Sequence, residues 1–226
     1  MSSLIAPILT VSFVILILGS VYRLYRILRI PIDRPVPISP APRTRFGVAA
    51  QLLLESLTFR TLFRASIWTW FFGWLFHVCL LLTLIIHGRF LTIPAPSLTA
   101  WIMPYTTYVS IGLVAGLLGL LVRRVVLARM RYVSALSDYL HLCLLLFIAL
   151  AGILLASTDT VNVYEVTVFT QGLLKGDWQS LTPNALLAFH VLGAGTLMCL
   201  YPFSKLFHGP LMWFNPTRSS TAKTRS

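Results

Sequence analysis

The chain has 226 residues, 57% of them apolar and 11% charged, with a mean hydropathy of +0.83, which excludes an ordinary soluble domain. Its 18 Lys+Arg against 6 Asp+Glu give a net charge of +12, a balance that in a soluble protein would point to a nucleic-acid partner. Cys79, Cys143 and Cys199 all lie in apolar runs without C-x-x-C spacing, so neither a disulfide scaffold nor an iron-sulfur cluster is expected from this chain.

A helix needs about 20 apolar residues to cross the hydrocarbon core of a bilayer. Five stretches meet this: Leu4–Tyr22, Ile67–Ile86, Tyr105–Val122, Leu136–Ala156 and Asn184–Phe203. The predicted architecture is an all-α integral membrane bundle of five transmembrane helices, one domain over residues 1–226. The first span has no Lys or Arg before it, has Arg23, Arg26 and Arg29 after it, and lacks an A-x-A site; it reads as a retained anchor and not a cleaved signal peptide. Residues 31–45 carry five prolines, whose fixed φ and missing N–H donors predict an extended arm. Gly47–Arg64 spaces its apolar residues at helical intervals and is expected to be a surface helix leading into span two. In span three, Gly112, Gly116 and Gly119 form a small-residue stripe suited to close helix packing. Between spans four and five, residues 157–182 form a long mixed loop with room for a short interfacial helix.

The basic residues sort by side. Arg23 to Arg64 holds eight Lys+Arg, Arg123 to Arg131 four and Lys205 to Arg225 four, whereas the remaining loops hold only Arg89 and Lys175. The positive-inside rule then predicts the N-terminus outside and the C-terminus inside, with 23–64 a cytoplasmic arm and 157–182 an outer loop, in the cytoplasmic (inner) membrane. The net charge becomes an orientation signal and an anionic-lipid contact, with no nucleic acid implied. The arm and the tail are also candidate docking surfaces for a partner subunit.

Ionisable residues within spans point to function. His77 and His87 lie ten apart in span two; His190 and His208 lie eighteen apart in or just after span five. At about 100° per residue each helix offers two imidazoles to one side. The two spans run antiparallel, so His87 lies level with His190 and His77 lies nearer the level of His208. Two stacked bis-imidazole sites between helices two and five result, the natural housing of two haems. The rise of about 1.5 Å per residue separates the first pair by about 15 Å and the second by about 27 Å, a mismatch that tilted cofactor planes would absorb in part and that a kink at Pro202 would help to accommodate.

The neighbours agree with that pattern. Gly73, one turn before His77, and Gly193, three residues after His190, would let a porphyrin approach the backbone. Thr83 and Ser204, each four residues before a histidine, would orient an imidazole or bond their own helix. Arg89 would neutralise a haem propionate or mark the interface. His141, three residues after Asp138, is a local Asp–His pair, part of a proton path or a contact to a cofactor propionate. Zinc fits poorly because no third ligand lies near either level. Two rival classes stand beside the haem protein: a transporter or channel using the histidines as a proton relay, and a purely structural anchor.

The histidine spacings of ten and eighteen, with WTWFFGWLFHVCLLLTLIIHGRFL (Trp68–Leu91) and YPFSKLFH (Tyr201–His208), resemble the membrane cytochrome b subunits of the respiratory nitrate reductase gamma family. PAPRTRFGV (Pro40–Val48), SDYLHLCLL (Ser137–Leu145) and FNPTRS (Phe214–Ser219) are most similar to its DsrM type, the cytochrome b of the sulfite-reduction-associated DsrMKJOP complex. The resemblance covers nearly the whole chain. It implies two haem b groups, His87 and His190 ligating the outer and His77 and His208 the inner. It also implies exchange with a quinone, usually menaquinone, near the outer haem, and a cytoplasmic iron-sulfur partner resembling heterodisulfide reductase within a larger membrane redox complex. The alternative within the family is a respiratory nitrate reductase gamma subunit. Arg89 is the only basic residue of the loop after span two, so the quinone-site basic residue of nitrate reductase gamma subunits has no clear counterpart.

Overall fold

A computed structural model of the protein describes residues 2–30, 42, 44–158 and 160–214. Most of the proline-rich arm, Asp159 and the tail with Arg218, Lys223 and Arg225 lie outside the described residues. Within them the chain is helical: α1 (Ser2–Leu28), α2 (Arg45–Thr58), α3 (Arg60–Ala65), α4 (Ile67–His87), α5 (Ser97–Ile102), α6 (Thr106–Val126), α7 (Ala128–Val133), α8 (Leu136–Thr158), α9 (Val163–Lys175), α10 (Ala185–Leu200) and α11 (His208–Phe214), with short 3-10 turns between some of them. Five helical stretches among the described residues are long and apolar enough to span a membrane: Leu4–Leu28, Ile67–Phe90, Ser97–Val126, Leu136–Thr158 and Ala185–Phe203. They coincide with the five predicted spans, each within a turn or two, and make this a multi-pass membrane protein.

The chain forms two compact units, one of Met1–Phe13 with Trp68–Leu197 and one of Val14–Ile67 with the described part of Met198–Ser226. In the first, the glycine stripe of α6 performs the predicted packing against α4. A Cβ at Gly116 would stand 2.8 Å from the Phe76 backbone nitrogen, one at Gly112 would stand 2.7 Å from Cys79 Sγ, and one at Gly119 would enter the Phe72 ring. Backbones approach this closely only where no side chain intervenes. The Trp68 indole N–H donates to the Gly119 carbonyl at 3.1 Å and fixes the same crossing. Phe76, Cys79, Ile86, Ile102, Val109, Leu113 and Leu117 form the buried cluster between these helices. A second cluster, Ile5, Ala6, Phe169, Leu181 and Leu187, seats α9. That helix is the short one expected in the loop. Asn162 caps its start by accepting from the Tyr164 N–H, and Gly176 ends it at φ 76°, a left-handed conformation that suits glycine.

The second unit departs from expectation twice. The single surface helix expected over Gly47–Arg64 is two helices, because Phe59 adopts φ 50°, ψ 40° and ends α2. The Glu55 carboxylate then accepts from the Thr61 N–H at 3.0 Å, supplying the new helix with a partner for one of its orphan donors. The kink expected at Pro202 is a full interruption. α10 stops at Leu200, Tyr201–Phe203 is a 3-10 turn, Ser204 is extended at φ −111°, ψ 175°, and His208 begins α11. Proline removes one helical donor and Ser204 removes the helical backbone path, so the rise and face counted from His190 to His208 along one helix do not apply.

Candidate functional site

His87 ends α4 and His190 lies in α10, both within the first unit. Their ring centroids stand 6.1 Å apart with the planes 15° from parallel. A metal–imidazole bond is about 2 Å and a ring nitrogen lies about 1.1 Å from its centroid, so two imidazoles ligating one ion from opposite sides stand about 6 Å apart. The observed spacing matches that requirement.

The ring nitrogens agree. His87 Nδ1 donates to the Thr83 carbonyl at 2.7 Å, and His190 Nδ1 donates to the Ile148 carbonyl at 2.9 Å. A carbonyl has no proton to give, so Nδ1 carries the hydrogen and Nε2 the ligating lone pair in both rings. His77 Nδ1 and His208 Nδ1 meet the carbonyls of Gly73 at 2.7 Å and Lys205 at 3.1 Å, which sets the same tautomer. His77 belongs to the first unit and His208 to the second. Among the described residues no group of three or more His, Cys, Asp or Glu is placed to hold a metal ion. A two-imidazole donor set would fit a haem iron and leaves four-coordinate zinc short of ligands.

One contributor escaped the sequence. α8 supplies both the Ile148 carbonyl and Gly152, one turn further on. A Cβ at Gly152 would stand 3.1 Å from His190 Cε1 and 3.5 Å from Nδ1. The missing side chain therefore opens the carbonyl to the ring. A single glycine in an apolar span carries no sequence signal for this, since its partner lies on another helix.

The other expected site residues resolve as follows. Gly73 contributes its carbonyl to His77, as above. Gly193 packs on α8, where a Cβ would stand 2.9 Å from Ile148 Cγ1, so it brings α10 close to the helix whose Ile148 carbonyl accepts from His190. The Thr83 hydroxyl bonds the Cys79 carbonyl at 2.8 Å, and it is the Thr83 carbonyl that orients His87. Ser204 accepts from the Leu206 N–H at 3.2 Å and caps the following turn. Arg89 lies with its guanidinium carbon 4.6 Å from the Phe90 ring centroid, and its buried Nε has no hydrogen-bond partner among the described residues. An anionic group beside His87 would satisfy that donor. The buried Asp138 carboxylate meets Arg124 of α6 at 3.4 Å and accepts from the Ala135 N–H at 3.1 Å, a tie between helices at the start of α8.

Residues 57–222 match the family described as nitrate reductase gamma subunit. A protein of Archaeoglobus fulgidus, described as an Hdr-like menaquinol oxidoreductase cytochrome b-like subunit, is 30% identical over 213 residues, covering 82% of this chain. The chain spans 64% of that relative's length. A protein of Archaeoglobus profundus with the same description is 26% identical over 257 residues, covering 92% of this chain and 76% of its own.

Proposed function

Because the chain belongs to the nitrate reductase gamma subunit family, we propose that it is a cytochrome b membrane subunit, of the DsrM type, that carries electrons between a menaquinol pool and a cytoplasmic iron-sulfur subunit. The observation that carries this is the His87–His190 pair, with ring centroids 6.1 Å apart and both Nδ1 atoms committed to backbone carbonyls. Haem b, when bound, supplies one-electron iron chemistry at a potential tuned by its ligands and surroundings.

The chain's own residues do the rest. His87 and His190 hold the outer haem, with the Thr83 and Ile148 carbonyls and Gly152 fixing their rings. Hydrogen bonds of this kind hold the tautomer and raise ligand basicity. His77 and His208 hold the inner haem, with Gly73 and Lys205 in the same role. Arg89 balances a propionate of the outer haem, which answers its orphaned Nε. The surrounding apolar spans exclude water and insulate the site. The cytoplasmic partner resembles heterodisulfide reductase, in keeping with the "Hdr-like" description of the two relatives.

The tautomer lock weighs against the proton-relay reading, because a relay must pass a proton through the ring and a carbonyl neither delivers nor stores one. Anaerobic addition of a reduced menaquinone analogue to the purified protein tests the function. Appearance of a reduced b-type α band is expected, and a protein with no haem absorption, or one that stays oxidised, refutes it.

A further inference from the structure

α1 lies outside the residues matched by the family, yet it grips the segment that carries His208. Arg23 Nη1 donates to the Pro202 carbonyl at 2.5 Å and to the Ser204 carbonyl at 2.7 Å. Its guanidinium carbon stands 5.0 Å from the centroid of Phe207, the buried residue immediately before His208. One turn earlier on the same helix, a Cβ at Gly19 would stand 2.8 Å from Pro202 Cγ, so α1 is fitted closely to the proline. All of these residues belong to the second unit.

Arg26 and Arg29 show what an arginine does here when it only marks topology. Both are exposed, and Arg29, just past the end of α1, lies over Tyr25. Arg23 instead turns inward to backbone oxygens at a helix break, where no regular i to i−4 ladder serves the chain. The Ser204 carbonyl also accepts from the Phe207 N–H at 3.4 Å, so Arg23 adds a second, charged donor there, and a carbonyl released from a ladder in an apolar surrounding is costly to leave unmet. A planar guanidinium can donate to both carbonyls while stacking its face on an aromatic ring; an ammonium lacks that shape.

We propose that Arg23 is a positioning residue for His208: it holds the interrupted 201–207 backbone in the path that presents this imidazole to the inner haem. The proposal rests on the reading of His208 as a haem ligand.

The test uses full-length protein purified in detergent, with haem content and low-temperature EPR of the ferric haems as readouts, and His208→Ala and His87→Ala to identify the two signals. Arg23→Gln is expected to weaken retention of the His208-dependent haem by roughly tenfold or more and to shift its EPR signal, with the His87-dependent signal unmoved. Arg23→Lys is expected to rescue only part of this, and Arg26→Gln to resemble the wild type. If Arg23→Gln does not assemble, Gly19→Ala presses on Pro202 from one turn earlier on the same helix and is expected to give the same selective signature. Wild-type signals in Arg23→Gln, full rescue by lysine, or equal loss of both haems overturns the proposal. A His208→Ala protein with an unaltered spectrum removes the ligand reading itself, and the proposal with it.

Discussion

Gly152 offers a sharp test of the His87–His190 site because a side chain there would act through the His190 ring. An added Cβ would stand 3.1 Å from His190 Cε1, whereas carbon–carbon contacts are comfortable at about 3.5–4.0 Å, so the ring must withdraw by about 0.4 Å or more. Withdrawal away from α8 stretches the 2.9 Å bond from Nδ1 to the Ile148 carbonyl to about 3.3 Å, at the weak end of hydrogen bonding. Loss of a bond that orients a metal ligand costs about 10–100-fold in affinity, or roughly 1.4–2.7 kcal/mol. Gly152→Ala should fall at or below the lower end, because α8 and α10 can part slightly. Gly152→Leu, whose further carbons occupy the place of the ring, should lose the outer haem almost entirely. Haem titration of the apo-protein, with EPR to separate the two centres, measures this. Full occupancy and an unshifted outer-haem signal in Gly152→Leu would refute the reasoning.

The four histidines give the broadest prediction. His87→Ala or His190→Ala should remove one haem, and His77→Ala or His208→Ala the other, as read by difference spectra; four variants indistinguishable from the wild type would favour a structural anchor. Arg89→Gln should lower the outer haem's midpoint potential, since removing a nearby cation favours the ferric form. The fall is about 59 mV if the contact is worth tenfold, and an unchanged or raised potential in a redox titration would place Arg89 away from the haem. Gly116→Ala forces a methyl against the Phe76 backbone and should destabilise the α4–α6 pair by about 1–3 kcal/mol; thermal unfolding in detergent matching the wild type would contradict the close packing.

What the sequence conveyed was what is local and periodic. Span length and the Gly112–Gly116–Gly119 stripe are properties of continuous segments, and the helices follow them. The convergence of His87 and His190 was legible because antiparallel order and equal depth need only the rise per residue. Continuity itself was less legible. Nothing in the composition of Gly47–Arg64 marks Phe59 as the residue that turns left-handed, and Pro202 announces a bend while Ser204, an ordinary residue for a span, completes the break. Partners on other helices were hidden altogether. Ile148 and Gly152 orient His190 through backbone and absence of side chain, two features that sequence pattern does not display. Thr83 shows the same blindness at closer range, since its carbonyl and not its hydroxyl reaches the imidazole.

The central claim is that this chain is a haem protein ligated by histidine pairs, and the haem-to-protein ratio of the purified full-length chain measures it most directly. Pyridine haemochrome analysis beside a quantitative protein assay should give two b-type haems per chain, falling to one in His190→Ala. A wild-type preparation with no b-type haem, or a His190→Ala protein that keeps the wild-type ratio, would contradict it.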